Sequence, residues 1–150
     1  MTDNNEIEQH ADVLAAEARG QLPITVVVTT FNEEDNLERC LLSLGWAAEV
    51  IVVDSFSSDR TVEIARSHSA KVIQHAYESH PQQWRWILEE MQAQNEWLFA
   101  VDADFVITTP LWLSLQRGIL NEANQHSGFY VRHAQVFMGR LLRPGPVDAP

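Results

Sequence analysis

Two carboxylates stand one residue apart at the end of an apolar run. In WLFAVDADFVIT (97–108), Trp97 to Val101 suit a buried strand, whereas Asp102 and Asp104 do not. An unpaired carboxylate is costly to take out of water. In an extended segment residues i and i+2 point the same way, so both carboxylates are expected to face one point. Paired carboxylate oxygens suit a hard divalent cation, Mg2+ or Mn2+. Two earlier segments also end in polar groups. ITVVVTT (24–30) runs into Phe31, Asn32 and Glu33, and EVIVVDS (49–55) carries Asp54 and Ser55 and leads to Ser57, Ser58 and Asp59. An acidic crevice repels phosphate unless a cation lies between them; with the cation it becomes a diphosphate clamp. Asp54 and Glu33 are then free to accept hydrogen bonds from a base and a ribose. No G-x-x-x-x-G-K-[ST] loop or G-x-G-x-x-G turn occurs, so a metal is expected to do most of the phosphate holding.

The elements that must position these groups alternate. Strands are expected at 24–30, 49–55, 70–76 and 96–102, separated by helices at 32–45, 57–68 and 81–93. Asn32 is expected to cap the first of these helices and Gly45 to end it. Pro81 is expected to open the third. A helix at 110–123 and a strand with one wetter face at 128–139 follow. Near-continuous apolar strands between helices imply an α/β fold with an open, mostly parallel sheet covered on both faces. Right-handed crossovers bring the strands' C-terminal ends to one edge, where such sheets bind ligands. Residues 1–21 are expected to form a polar, loosely helical extension that Gly20 and Pro23 close. Residues 22–140 form the binding domain, and 141–150 a disordered tail.

The bulk composition removes several function classes. Asp and Glu outnumber Lys and Arg 21 to 10, the formal charge is −11, and Lys71 is the one lysine. Nucleic-acid binding is therefore not expected, and neither is a polybasic membrane patch. Cys40 is the single cysteine, so no internal disulfide forms; among Leu37, Leu41 and Leu44 it reads as a buried structural thiol. The N-terminus lacks a signal-peptide pattern, and no run approaches the roughly 20 apolar residues of a spanning helix. A cytoplasmic place is expected, and peripheral association at the inner face of a membrane is compatible with it.

The segments TVVVTTFNEEDNLERCLLSL, VIVVDSFSSDRTVEIA and WLFAVDADF, in that order and spacing, resemble the nucleotide-binding half of a family 2 glycosyltransferase of GT-A-type fold. The nearest flavour is that of bacterial transferases extending lipopolysaccharide core or other surface glycans. The resemblance covers residues 23 to 140. It implies a nucleotide-diphosphate-sugar donor, a divalent metal (Mn2+ or Mg2+), a glycan or lipid-linked acceptor, and inversion at the anomeric carbon. It places Thr30, Phe31 and Glu33 around the base and ribose and Asp54 on the base. Asp102 would lie near ribose and metal, with Asp104 on the metal that bridges the diphosphate and stabilises the leaving group.

An acceptor-activating base is also required. Beyond Asp104 the only acidic residues are Glu122, on an expected helix, and Asp148, in the Pro-rich tail, and neither fits that role. Relatives continue well past a segment like FMGR, so the sequence reads as a truncated or degenerate transferase or as one half of a split one. A partner chain or a second copy would fit that reading. Phe105 stands where relatives often have an acid. QQWRWILEE stands where many carry an Arg-Asn or Lys-Asn pair, with Arg85 as a substitute phosphate contact.

Plainer readings compete. Asp102 and Asp104 could cap a helix or satisfy a turn, Asp54 and its serines could be turn chemistry, and Glu33 could favour a helix dipole. Trp84, Trp86, Trp97 and Trp112 read as core or edge packing. His75 and His80 read as loop residues within reach of phosphates. Two rival functions stand beside the transferase. One is a non-catalytic nucleotide- or partner-binding remnant. The other is a haloacid-dehalogenase-like phosphatase, since DADFV fits its nucleophile pattern, although that motif belongs on a first strand and needs a later lysine.

Overall fold

The computed structural model describes residues 21–122, 125–137 and 140–141. The expected N-terminal extension, apart from Gln21, and the tail beyond Leu141 lie outside the described residues. Two compact units are present, one through Gln116 and one from Arg117.

The first unit is built on β1 (Leu22–Thr30), β2 (Ala47–Asp54), β3 (Lys71–Gln74) and β4 (Trp97–Asp102). All pair in parallel in the order β3-β2-β1-β4. The expected α/β class and parallel sheet are found. Between them lie α1 (Leu37–Leu42), α2 (Thr61–Ser67) and α3 (His80–Glu90), and α4 (Thr109–Arg117) follows β4. α1 and α2 supply the crossovers of the parallel pairs β1–β2 and β2–β3, and α3 carries the chain from β3 across to β4 at the opposite edge.

Burial follows sheet position. β1 lies between β2 and β4, and Val26, Val27 and Val28 are wholly enclosed, as are Ile51, Val52 and Val53 of β2. One face of these strands packs against Ile87 and Met91, with Trp84 and Trp86 against that cluster. β4 departs from the buried strand expected at 96–102. It pairs only with β1 among the described residues, and of its apolar residues only Val101 is fully buried. An edge strand keeps one side open whatever its composition.

Several boundaries move for local reasons. β1 begins two residues early, and Pro23 lies inside it rather than closing a helix. The ladder to β2 is irregular between Leu22 and Thr25, and a bulge tolerates a residue without an N–H. The helix expected over 32–45 shrinks to α1. Asn32 does not cap it: its backbone is left-handed (φ 54°) and its side chain is used elsewhere. The helix expected over 57–68 begins only at Thr61, because residues 55–60 form a loop.

The second unit opens with a π-helical turn, Gly118–Glu122, in place of the α-helix expected to continue to 123. A Cβ on Gly118 would lie 3.3 Å from the Phe129 ring. The strand expected over 128–139 is reduced to Val136–Phe137 (β5), paired antiparallel with Arg140–Leu141 (β6).

Candidate functional site

The strand order reverses direction between β1 and β4, and the carboxyl ends of strands at such a switch point are where open α/β sheets bind ligands. A cleft of about 590 Å³ lies along that edge. β1 and its loop contribute Thr29, Thr30 and Phe31, and β4 contributes Asp102. Ser55 and Phe56 enter after β2, Ala76 and Tyr77 after β3, and His80, Gln83 and Trp84 from the first turns of α3. Every strand of the sheet therefore delivers its C-terminal end to one cavity.

At the β1–β4 seam Thr29 and Asp102 are register partners, and Thr29 Oγ1 donates to Asp102 Oδ1 at 2.9 Å. The segment after Asp102 is not extended as expected. The Phe105 N–H donates to the Asp102 carbonyl at 3.0 Å, which closes a turn. Burial still alternates: Asp102 and Asp104 are exposed and Ala103 between them is enclosed. Helix α1 supports this turn from below. The Cys40 thiol donates weakly to the Asp102 carbonyl at 3.8 Å, and buried Ser43 Oγ accepts the Ile107 N–H at 3.0 Å.

Both carboxylates act on that thiol. Burial above all, with Asp104 and Asp102 adding to it and Arg39 opposing them, pushes the Cys40 thiol up to about 12. A thiol held neutral in the fold is inert, in line with its expected structural role. The sign of the pH effect follows. Below the ordinary value of 9.0 the thiol is protonated in folded and unfolded chains alike, so it contributes nothing. Above it the unfolded chain releases the proton first, so stability falls with rising pH. The expected loss is about 1.4 kcal/mol per pH unit, or about 4 kcal/mol by pH 12. Urea titrations of wild type and Cys40→Ala between pH 8 and 10.5 check this; equal slopes would refute it.

Asp54 does not line the cleft. It is 0% exposed, and its carboxylate is engaged throughout. Oδ1 accepts from Thr30 Oγ1 (3.2 Å) and from Ser57 Oγ. Oδ2 accepts the Ser57 N–H (3.0 Å) and Gln74 Nε2 (3.1 Å). A carboxylate offers about four accepting directions, so in this structure none is left for the base it was expected to meet. Glu33 is half-buried and also off the cleft, its Oε2 accepting from Asn36 Nδ2 at 2.9 Å.

These residues instead belong to a clasp between the loops after β1 and β2. Asn32 N–H donates to Ser57 Oγ, and Asn32 Oδ1 accepts the Ser58 N–H, both at 2.9 Å. Glu33 N–H donates to Thr61 Oγ1 at 2.8 Å, and Glu34 N–H to Asp59 Oδ2 at 3.1 Å. Desolvation pushes the Asp59 carboxyl up, but hydrogen bonds from Thr61 and Glu34 outweigh it and hold it below the usual carboxylate range.

Thr30, Phe31 and Asp102 thus share the cleft, Asp104 sits at its margin in sequence, and Asp54 and Glu33 brace it. Several lining residues went unrecognised as such, Phe56, Tyr77, Gln83 and Trp84 among them. Trp84 enters the cleft while also touching the core, whereas Arg85 is exposed and does not line it. His80 lines it, but His75 stacks on Trp86 (4.0 Å, 20°). Tyr77 is exposed on its wall. Phe56 is 58% exposed with φ 60°, a left-handed backbone that costs a bulky residue about 1–2 kcal/mol. Such strain persists where the surroundings impose it, often at ligand sites.

No lysine or arginine among the described residues lines the cleft. Among the described residues no group of three or more His, Cys, Asp and Glu side chains converges on one point. The pair Asp102 and Asp104 still suits Mg2+ or Mn2+, which commonly takes one or two carboxylates and completes its shell with phosphate and water. For the acceptor base, Asp148 lies outside the described residues. Glu122 belongs to the π-helical turn.

The sequence profile described as glycosyl transferase family 2 matches residues 25–141. The chain belongs to that family. Among relatives, a lipopolysaccharide core biosynthesis glycosyltransferase, LpsC, of Rhizobium meliloti is 34% identical over 89 residues, 56% of this chain and 32% of that protein. An uncharacterised glycosyltransferase of Rickettsia bellii is 39% identical over 82 residues, 54% of this chain and 27% of the relative. The chain thus spans about a third or less of the curated relatives it matches. Solved structures share the fold. Glucosyl-3-phosphoglycerate synthase of Mycobacterium tuberculosis, crystallised with Mn2+ and UDP-glucose, superimposes with a TM-score of 0.52 at 24% identity, covering 75% of this chain and 44% of that one. The parallel sheet is therefore of the expected GT-A type.

Proposed function

We propose that this family 2 domain binds a nucleotide-diphosphate sugar at the β1–β4 switch point, as the donor site of a metal-dependent, inverting glycosyltransferase. The observation that carries the reading is the cleft that gathers all four strand ends and places exposed Asp102 beside Thr29. Asp102 and Asp104 would hold the metal, which supplies Lewis-acid stabilisation of the departing nucleoside diphosphate. Thr29 orients the Asp102 carboxylate. Phe31 and Phe56 offer ring faces to a planar base or sugar. Ala103, enclosed beneath, keeps both carboxylates turned outward. The similarity to LpsC supports a glycan or lipid-linked acceptor, reached at the inner face of a membrane by a cytoplasmic protein. No helix among the described residues is long and apolar enough to cross a membrane.

The phosphatase alternative loses support from the topology. DADFV ends the fourth strand at the sheet edge, and Lys71 opens β3, at the other edge. Calorimetric titration of UDP, GDP and TDP into the purified chain tests the donor-site reading. At least one is expected to bind with Mn2+ and to be released by EDTA. Failure of all three, and of CDP and ADP as well, with metal would overturn it.

A further inference from the structure

The cleft also contains a buried amide that the donor-site reading has not used. Gln83 is 3% exposed yet lines the cleft. Its Oε1 lies 2.9 Å from His75 Nδ1. With oxygen facing that nitrogen, Nδ1 must carry the hydrogen and donate. The imidazole ring stacks on Trp86, and the main chain that carries it is anchored by the His75 N–H donating to the Asp54 carbonyl at 3.0 Å. The carboxamide is thereby fixed too. Among the described residues its Nε2 has no hydrogen-bond partner, and it is not among the fully enclosed orphan atoms. It opens onto the cavity that Gln83 lines.

We propose that Gln83 reads the base of the nucleotide, offering an N–H to a ring carbonyl, with His75 as the positioning residue that sets the polarity of the amide. This rests on the donor-site reading. If Asp102 and Asp104 fix the diphosphate at the β4 end, the base lies toward β3 and α3. That is three strand spacings away, on the order of 14 Å, comparable to the reach from a base edge to its terminal phosphate. Tyr77 and Trp84 line the same cleft as Gln83 and present rings on which a base stacks. The site therefore favours uracil, thymine or guanine, which carry a ring carbonyl at the position read. It disfavours cytosine and adenine, which place an amino group there and set donor against donor.

The decisive pair is UDP against CDP, which share ribose and diphosphate and differ at the pyrimidine C4 edge. With Mn2+, calorimetry on the full chain is expected to show UDP binding roughly 10- to 100-fold tighter than CDP, the effect of one mismatched buried hydrogen bond. Gln83→Leu should bring the two affinities together. Gln83→Glu, which can only accept when ionised, should shift the preference toward CDP. His75→Phe keeps a ring for Trp86 but frees the amide, so it should narrow the ratio while leaving the EDTA sensitivity of binding in place. Thermal melts identify any variant that fails to fold, and the wild-type ratio stands without them. CDP binding as well as UDP in the wild type, or an unchanged preference in a folded Gln83→Leu, would overturn the proposal. Absence of metal-dependent binding by every nucleoside diphosphate would instead remove the donor-site reading, and this inference with it.

Discussion

Asp104→Asn should weaken Mn2+-dependent UDP binding by about 100-fold while leaving the melting temperature within a degree or two. The affinity loss follows from chemistry. Asparagine keeps the shape of the side chain but removes the charge, and a hard cation held by only two carboxylates loses half of its anionic protein ligands. Among the described residues no lysine or arginine lines the cleft to take over the diphosphate. The magnitude takes as its lower guide the 10- to 100-fold losses seen when mere supporting groups around a metal are removed. The silence in stability follows from structure. Asp104 is exposed, the turn it occupies is closed by the Phe105 N–H and the Asp102 carbonyl, and the buried residue is Ala103. Titration of wild type and variant with Mn2+ and then EDTA decides it. Equal affinities would show that Asp104 is not a metal ligand.

Asp54→Ala should do the reverse and act first on the fold. The side chain is wholly enclosed and gathers donors from Thr30, Ser57 and Gln74. Truncation strands several of these, and each stranded buried group costs about 1–3 kcal/mol. Since Gln74 is exposed and can turn to water, a net loss of about 3 kcal/mol is expected, a large share of a domain's stability of about 5–15 kcal/mol. Asp54→Asn keeps one accepting oxygen and should fall between. Urea unfolding gives the values, and a loss below about 1 kcal/mol for the alanine variant would show that the network is not holding the loops.

These two aspartates show what could be read from the sequence. β1 and β2 were legible because enclosed central strands are uniform β-branched runs. The carboxylates after β4 were legible because charge breaks such a run. The role of Asp54 was not. Its environment depends on Gln74 and Thr30, which come from neighbouring strands, and strand neighbours are not written in any local pattern. Asn32 misled for a related reason. It has the chemistry of a helix cap, but Ser57 and Ser58 compete for it across the gap between loops and win. Gln83 and Trp84 were hidden by distance along the chain, because α3 begins beside Phe56 and Ser55 only after a complete strand has intervened. The reduction of the 128–139 strand to Val136–Phe137 has a different source. Alternation marks a face that could be buried, but a ladder also needs a partner, and here the partner is the two-residue β6.

β4 is joined to the described sheet along one side only, through its ladder to β1, and the outward carboxylates sit at the end of that ladder. Side chains on a strand alternate, so a slip of one residue would send Asp102 inward and turn Val101 out. The outward facing of the acidic pair therefore depends on the register of that one ladder. A ligand that grips Asp102 while resting on Thr30 and Phe31 spans that seam and reinforces it. Site occupancy and attachment of the edge strand then become two descriptions of one equilibrium.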